Sequence, residues 1–342
     1  MRRRGFLASL AGGAASALAP ARARAVSEAP FQSVRGPLDA AALGTTLVHE
    51  HVLVDFGGAA VATRSRYDAD EAFRVALPHL EELRRRGCQT LLECTPAYLG
   101  RDPLLQRRLS EASGLQVVTN TGYYGAARDI AIPKHAYAET PKRLAARWTA
   151  EFEGGIEGTG IRPGFVKLGV DAGPLSPIDR KLVEAGALTH LATGLTLAIH
   201  TGDGRAALEI LGVLAGLGIA PEAYVWVHAQ NEKDPATRAW AAMQGAWVEL
   251  DGVSPSSLAT HVEAVIDLHR RNLLDRVLVS QDAGWYHVGE PGGGSYRPHA
   301  FLFDSFVPAL RAGGLGDAEI RTLLVTNPAE AFAIRRRVTQ PS

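Results

Sequence analysis

Cysteine is scarce in this chain of 342 residues, which contains Cys88 and Cys94 and no others. Both fall on one predicted strand, and at about 3.3 Å per residue their separation is too large for a disulfide. We therefore expect a fold that is not stapled by disulfides. Beyond the N-terminal segment, no stretch is apolar for the roughly 20 residues that a membrane-spanning helix needs, so we expect no stable membrane span.

Net charge is absent as well, since 36 basic residues balance 36 acidic ones. The two signs are unevenly placed, because residues 1–25 contain five arginines and no acid, which leaves −5 for the rest of the chain. A mildly acidic protein lacks the clustered cations that neutralise nucleic-acid phosphates. The expected partner is therefore a small molecule and not a nucleic acid.

The N-terminal segment, MRRRGFLASLAGGAASALAPARARA, has the pattern of an export signal. It has a basic start, an apolar stretch and a small-residue Ala-Arg-Ala ending that fits a cleavage site. It resembles a twin-arginine signal in which Arg3 and Arg4 form the recognised pair. A membrane anchor is the alternative, but the apolar run is too short for a span. We expect a signal peptide over 1–25, a single further domain over 26–342 and a periplasmic location.

The rest of the chain alternates short apolar runs with helical stretches. The runs predict eight strands, at 46–54, 89–95, 115–121, 165–170, 195–201, 224–229, 246–251 and 276–282. Helix-like segments lie between them, at 70–86, 104–113, 141–151, 177–192, 205–217, 235–244 and 257–272. Short polar residues before proline, at Thr140, Ser176, Asp234 and Asn327, predict helix starts.

This alternation predicts an α/β fold, a (β/α)8 TIM barrel. A doubly wound open sheet is the alternative, and it would carry a glycine-rich phosphate loop after the first strand. The first strand is followed instead by Asp-Phe-Gly-Gly, without a G-x-G-x-x-G motif.

Ionisable side chains gather at the carboxyl ends of the predicted strands, where TIM barrels carry their catalytic groups. They are His49 and His51 on the first strand, Lys167 on the fourth, His200 on the fifth, His228 on the sixth and Asp282 on the eighth. A single histidine there is usually a hydrogen-bonded core or rim residue. Four histidines and an aspartate that converge on one mouth indicate a site for zinc or a related divalent metal.

Lys167 lies in the apolar strand GFVKLGV, on the face opposite Val166 and Leu168. A protonated lysine beside a divalent cation would be repelled, and a buried charge without a partner is costly. The amine must therefore lose its proton or be chemically modified.

The set of residues resembles the phosphotriesterase family of the amidohydrolase superfamily. TTLVHEHVLVD matches the family's opening motif, NTGYY its third-strand ending, HTGDG its fifth and TNPAEAF its closing helix. The resemblance implies two divalent metal ions, zinc first, with manganese, cobalt or iron as alternatives. It implies N6-carboxylysine at Lys167 as their bridge, with His49, His51 and Asp282 at the buried ion and His200 and His228 at the exposed one.

The resemblance also implies a reaction, in which a metal-bridging hydroxide attacks an ester bond and Asp282 serves as general base. Tyr124, where lactonase members of the family carry tyrosine, would orient the hydroxide or the substrate, or be a rim aromatic. Asp251 faces the mouth or makes a turn. The expected substrate is a lactone, a carboxylic ester or a phosphotriester. Whether the chain forms a homodimer is left open.

The chain departs from the family where substrate is chosen. VHAQNEKD replaces the family's Gly-His-x-Asp pattern after His228, and the stretch after Asp282 matches no substrate loop. We predict that this loop, 283–299, selects the substrate through Trp285, Tyr286 and Arg297. The alternative is that this loop has only a structural role.

Three other interpretations of the sequence compete with this hydrolase. A mononuclear deaminase or amidase of the same superfamily needs a glutamate near strand five and no lysine, whereas HTGDG has no glutamate and Lys167 is present. A DNase-like relative has glutamate on strand four. A non-catalytic metal-binding barrel would be free to lose ligands, and none is missing.

Overall fold

The computed structural model describes residues 30–339, so the predicted signal peptide over 1–25 lies outside the described residues. The strands of the barrel, β1 to β8, are Thr46–Glu50, Thr90–Glu93, Gln116–Val118 with its continuation Asn120–Thr121, Phe165–Val170, Leu197–Thr201, Tyr224–Val227, Trp247–Leu250 and Val277–Val279. Each lies within its predicted run. The prediction of a (β/α)8 TIM barrel is confirmed.

A helix follows each of the first seven strands and covers the outside of the barrel. Helices α1 to α7 are Ala69–Arg85, Pro103–Ser113, Pro141–Gly154, Pro177–Thr193, Gly204–Gly216, Pro235–Gln244 and Leu258–Arg270. The helical segments after β8 are Leu302–Phe306, Val307–Ala312, Asp317–Arg321, Thr322–Thr326 and Asn327–Phe332, and short helices lie at Ala40–Leu43 and Lys134–Ala138. None of the helices between residues 30 and 339 is both long and apolar enough to cross a membrane.

Two small strand pairs lie outside the barrel ladder. An N-terminal hairpin pairs Phe31–Ser33 with Gly36–Leu38, and its Phe31 joins the apolar cluster inside the barrel. A second pair joins Leu53–Val54, just after β1, to Tyr286–His287 in the loop after β8. The second pair anchors that loop beside the end of β1.

The barrel closes between β8 and β1. Parallel ladders join β1, β2 and β3, and then the end of β3 through β4, β5, β6 and β7 to β8. At the seam the His49 amide donates to Ser280 Oγ at 3.0 Å, and the Asp282 amide donates to the His49 carbonyl at 3.0 Å. The carboxyl ends of β1 and β8, each with predicted site residues, are therefore directly bonded.

Three of the four predicted helix starts are confirmed. The side chains of Thr140, Ser176 and Asp234 accept hydrogen bonds from amides in the first turns of α3, α4 and α6. The prediction at Asn327 is wrong. Its buried Nδ2 donates to the carbonyls of Leu274 and Val277, at 2.8 and 2.7 Å, and the backbone before it is already helical. This amide ties the C-terminal helix to the start of β8.

Candidate metal centre

His49 reaches the barrel interior through an irregularity in β1. Leu47 packs among the outer helices, and strict alternation would point His49 the same way. The pairing of β1 with β2 shifts by one residue between Leu47 and Glu50. The extra residue resets the alternation, so that His49 points inward and lies beside Lys167.

His228 and Asp282 leave their strands through left-handed backbone, with φ of 63° and 51°. Such angles are costly for residues other than glycine and persist only where surrounding contacts hold them. Asp251 Oδ2 accepts the His228 amide at 3.1 Å, and the His49 carbonyl accepts the Asp282 amide at 3.0 Å. Hydrogen bonds from neighbouring strands therefore hold both side chains towards the centre of the mouth.

His49, His51 and Asp282 present three ligand-type atoms to one point. Asp282 Oδ1 lies 3.0 Å from His51 Nε2 and 3.7 Å from His49 Nε2. This buried oxygen has no aligned hydrogen-bond donor among the described residues. A divalent cation requires nitrogen and oxygen ligand atoms that lie close together and are not hydrogen-bonded to one another, as is the case here. The residues present therefore fit a metal ion.

The opposite ring nitrogens of the histidines are anchored by neighbouring side chains. His51 Nδ1 lies 2.7 Å from Thr95 Oγ1, and His49 Nδ1 lies 3.0 Å from Asp251 Oδ2. His228 Nδ1 donates to Asp251 Oδ1. A partner at Nδ1 fixes the proton on that nitrogen and leaves Nε2 as a bare lone pair for a metal.

Lys167 lies inside this cluster and is 2% exposed. Its Nζ is 3.3 Å from His49 Nε2, a distance that brings it next to the candidate ligands. Within residues 30–339, no carboxylate oxygen lies within 4.0 Å of Nζ. The inward orientation predicted from the strand pattern is observed, and Lys167 forms no direct ion pair with a carboxylate of the described residues.

The protonation states of His49 and Asp282 favour metal binding. Burial, and then the Lys167 amine, lower the pKa of His49 to about 4. Burial opposes ionisation of Asp282, but His49 and His51 outweigh it and hold the pKa of that carboxyl well below its usual range. At neutral pH His49 is therefore a neutral imidazole and Asp282 a carboxylate, the forms that bind divalent metals.

His200 and His228 form the outer half of the cluster, with ring centroids 4.3 Å apart. Burial, and then the neighbouring His228, lower the pKa of His200 well below its usual range. Tyr124 places its hydroxyl 3.0 Å from His200 Nδ1. The six predicted metal-site residues are thus contiguous, and Tyr124 touches them through His200.

The loop residues predicted to bind substrate have different positions. Trp285 lies over the site, with its ring centroid 4.4 Å from that of His51. Tyr286 is turned away, since it is buried and its hydroxyl donates to Glu71 on α1. Arg297 donates to the backbone carbonyls of Gln281 and Asp282. Trp285 thus lies next to the candidate ligands, whereas Tyr286 and Arg297 make anchoring contacts within the protein.

Of the two carboxylates that support His49, sequence reasoning missed Glu249 and left Asp251 open between the mouth and a turn. Glu249 Oε1 and Asp251 Oδ2 lie 2.8 and 3.0 Å from the same nitrogen, His49 Nδ1. Burial, and then the charge of Asp251, raise the pKa of Glu249, so the two are not charged together. Trp247, Glu249 and Asp251 alternate along β7, and that inward period was the signal available in the sequence.

Known proteins share this sequence and architecture. A model of the phosphotriesterase family matches residues 29–332. A phosphotriesterase homology protein of Escherichia coli is 29% identical over 294 residues, which are 84% of this chain and 98% of that protein. An aryldialkylphosphatase of Saccharolobus solfataricus is 23% identical over 302 residues, 85% of this chain and 95% of that protein. The solved structure of a mutant PTE-like lactonase of Deinococcus radiodurans is 27% identical, with a TM-score of 0.79 over 88% of this chain and 99% of that one.

The family match spans the whole barrel, and the residues that carry it meet at one mouth with nitrogen and oxygen atoms arranged for metal. The chain therefore belongs to the phosphotriesterase family, and it is a metal-dependent hydrolase that acts on ester bonds.

Proposed function

We propose that the chain hydrolyses lactones and carboxylic esters, with two divalent metal ions held by His49, His51, Lys167, His200, His228 and Asp282. The observation that carries this proposal is the group of facing ligand atoms around Asp282 Oδ1, with Lys167 Nζ beside it. We propose further that Lys167 carries a carboxylate derived from carbon dioxide. That modification would replace a buried cation with an anion able to bridge two metals.

When bound, the metals supply a water molecule of lowered pKa and polarise the substrate oxygen. The chain's own residues hold the metal-binding side chains in place and exclude bulk water from one side of the site. Thr95 and Asp251 fix the imidazole rings, and Trp285 covers one side of the cluster. The Asp282 side chain is 20% exposed, against 2% for that of His49, so it is open to substrate and able to take the proton as the ester is attacked.

The substrate class is inferred from the aromatic surface at the mouth. Trp285 stacks on Phe56, with centroids 5.6 Å apart and planes at 25°, and Phe56 is 49% exposed. His287 also stacks on Trp285, at 6.0 Å, and its ring lies 5.9 Å from that of Phe56. A continuous apolar wall on one side suits a flat acyl group with a single chain better than a phosphorus centre with three substituents. The PTE-like lactonase among the structural neighbours agrees with this choice.

A substrate panel tests the proposal. Zinc-reconstituted protein is expected to hydrolyse lactones of increasing chain length with rising kcat/KM, and paraoxon-type triesters at least about a hundredfold more slowly. Trp285→Ala is expected to raise KM about tenfold for long-chain lactones and to leave short-chain lactones nearly unchanged, because only long chains reach the wall. Faster turnover of triesters than of every lactone would contradict the substrate class.

The hydroxyl of Tyr124 is expected to support His200. Tyr124→Phe removes the contact of 3.0 Å, and we expect kcat/KM to fall about tenfold, the effect of one hydrogen bond to a ligand side chain. Tyr123→Phe is the matched control, because that neighbouring hydroxyl contacts His135 Nε2 at 3.0 Å instead. Equal kinetics in the two variants would show that the Tyr124 hydroxyl has no special role.

A further inference from the structure

Glu50 lies between the two histidines of the H-x-H motif, and its side chain is fully buried. Its Oε1 accepts from Ser280 Oγ at 2.8 Å and from the Gln281 amide at 3.0 Å. Its Oε2 accepts from the Ala283 amide at 2.8 Å and from His299 Nδ1 at 3.1 Å. A single carboxylate therefore receives four hydrogen bonds, and three of them come from the segment that contains Asp282.

The two amides that Glu50 accepts flank Asp282 on either side. Asp282 has left-handed backbone, a conformation that is uncommon in residues other than glycine. The next glycine, Gly284, has φ of 98°, and a Cβ there would lie 1.8 Å from the His51 carbonyl oxygen. The turn is thus pressed closely against β1, and Glu50 supplies the hydrogen bonds that hold it there.

The same carboxylate also reaches His49. Ser280 Oγ accepts the His49 amide at 3.0 Å and donates its own proton to Glu50 Oε1. The three residues that face the buried metal position are therefore joined: Glu50 lies next to His49 and His51 along the chain and bonds to both neighbours of Asp282 across the seam. Supporting hydrogen bonds of this kind typically change metal affinity by about 10- to 100-fold.

We propose that Glu50 is a positioning residue, which sets the distance between the H-x-H histidines and Asp282 before any metal arrives. The proposal rests on the metal centre assigned above. It predicts that Glu50 matters for metal affinity and for order in residues 281–283, and not only for the stability of the barrel.

The test uses Glu50→Gln, in which an amide NH2 must face the backbone N–H of Gln281 or of Ala283. The matched control is Asp55→Asn, a buried carboxylate near the same strand whose hydrogen bonds go to the Gly57 amide and to Arg66. Chelator competition is expected to show a zinc Kd about 10- to 100-fold weaker in Glu50→Gln than in the wild type, with Asp55→Asn unchanged.

Hydrogen exchange on the metal-free protein separates this inference from the proposed function. The amides of Gln281 and Ala283 are expected to exchange at least about tenfold faster in Glu50→Gln, whether or not the wild type binds metal. If Glu50→Gln does not fold, Ser280→Ala takes its place, with an expected weakening of zinc binding of about three- to tenfold. Wild-type zinc affinity in the folded variant, or unchanged exchange at these two amides, would overturn the proposal.

Discussion

Lys167→Ala is expected to lower kcat/KM by about a thousandfold or more and to reduce the bound metal from about two ions per chain to less than one. The side chain lies inside the ligand cluster, 3.3 Å from His49 Nε2, so its loss removes the proposed bridge and leaves the histidines in place. Kinetics and metal analysis on the same preparation measure both effects.

Added propionate is expected to restore part of this activity, because the shortened side chain leaves room for a free carboxylate where the bridge belongs. The control is Lys181→Ala. In the wild type, Lys181 Nζ donates to the carbonyls of Ala136 and Tyr137 on the outside of the barrel. Full activity of Lys167→Ala without added carboxylate would refute the bridge.

Asp282→Asn is expected to lower kcat by about a thousandfold even when metal content matches that of the wild type. Asparagine keeps an oxygen near His51 but loses both the negative charge and the ability to accept a proton. Burial disfavours the charged form of Asp282, but His49 and His51 favour that form and hold the pKa of the carboxyl well below its usual range. The carboxylate is therefore ionised throughout the neutral range, which is the form that a proton acceptor must have.

Asp171→Asn is the control for this variant. Asp171 follows β4 at the same mouth, but its carboxylate accepts the amides of Ala127 and Arg128 at 2.9 and 3.1 Å. We expect little change in its kcat. An Asp282→Asn enzyme that keeps more than about a tenth of wild-type kcat at full metal occupancy would argue against proton transfer by Asp282.

The barrel was predictable because its strands show a clear period. In β4 the outward Val166, Leu168 and Val170 join the core under the helices, whereas Lys167 points inward, as alternation requires. Helix starts were predictable where the side chain bonds its own first turn. At Asn327 a similar short polar side chain bonds instead to the carbonyls of Leu274 and Val277, and a local pattern does not distinguish these two uses.

The orientation of the metal-binding side chains was not predictable. His49 depends on an added residue in β1, and His228 and Asp282 depend on left-handed backbone held by hydrogen bonds from other strands. Those contacts join residues far apart in sequence, so no local window contains them. The contacts of Tyr286 and Arg297 were not predictable for a related reason, since an aromatic or cationic loop residue looks the same in sequence whether it faces substrate or its own protein.

The anchored histidine nitrogens link metal uptake to the stability of the whole domain. Thr95 and Asp251 hold the rings of His51 and His49 so that the bare lone pairs of the imidazoles face the Asp282 carboxylate. This arrangement exists only when the chain is folded. Folding therefore brings these ligand atoms together at one point, where an incoming cation is expected to bind them without rearranging the rings. The free energy released on binding adds to that of folding, so the loaded and the empty protein are expected to differ in resistance to heat and proteolysis while sharing one backbone.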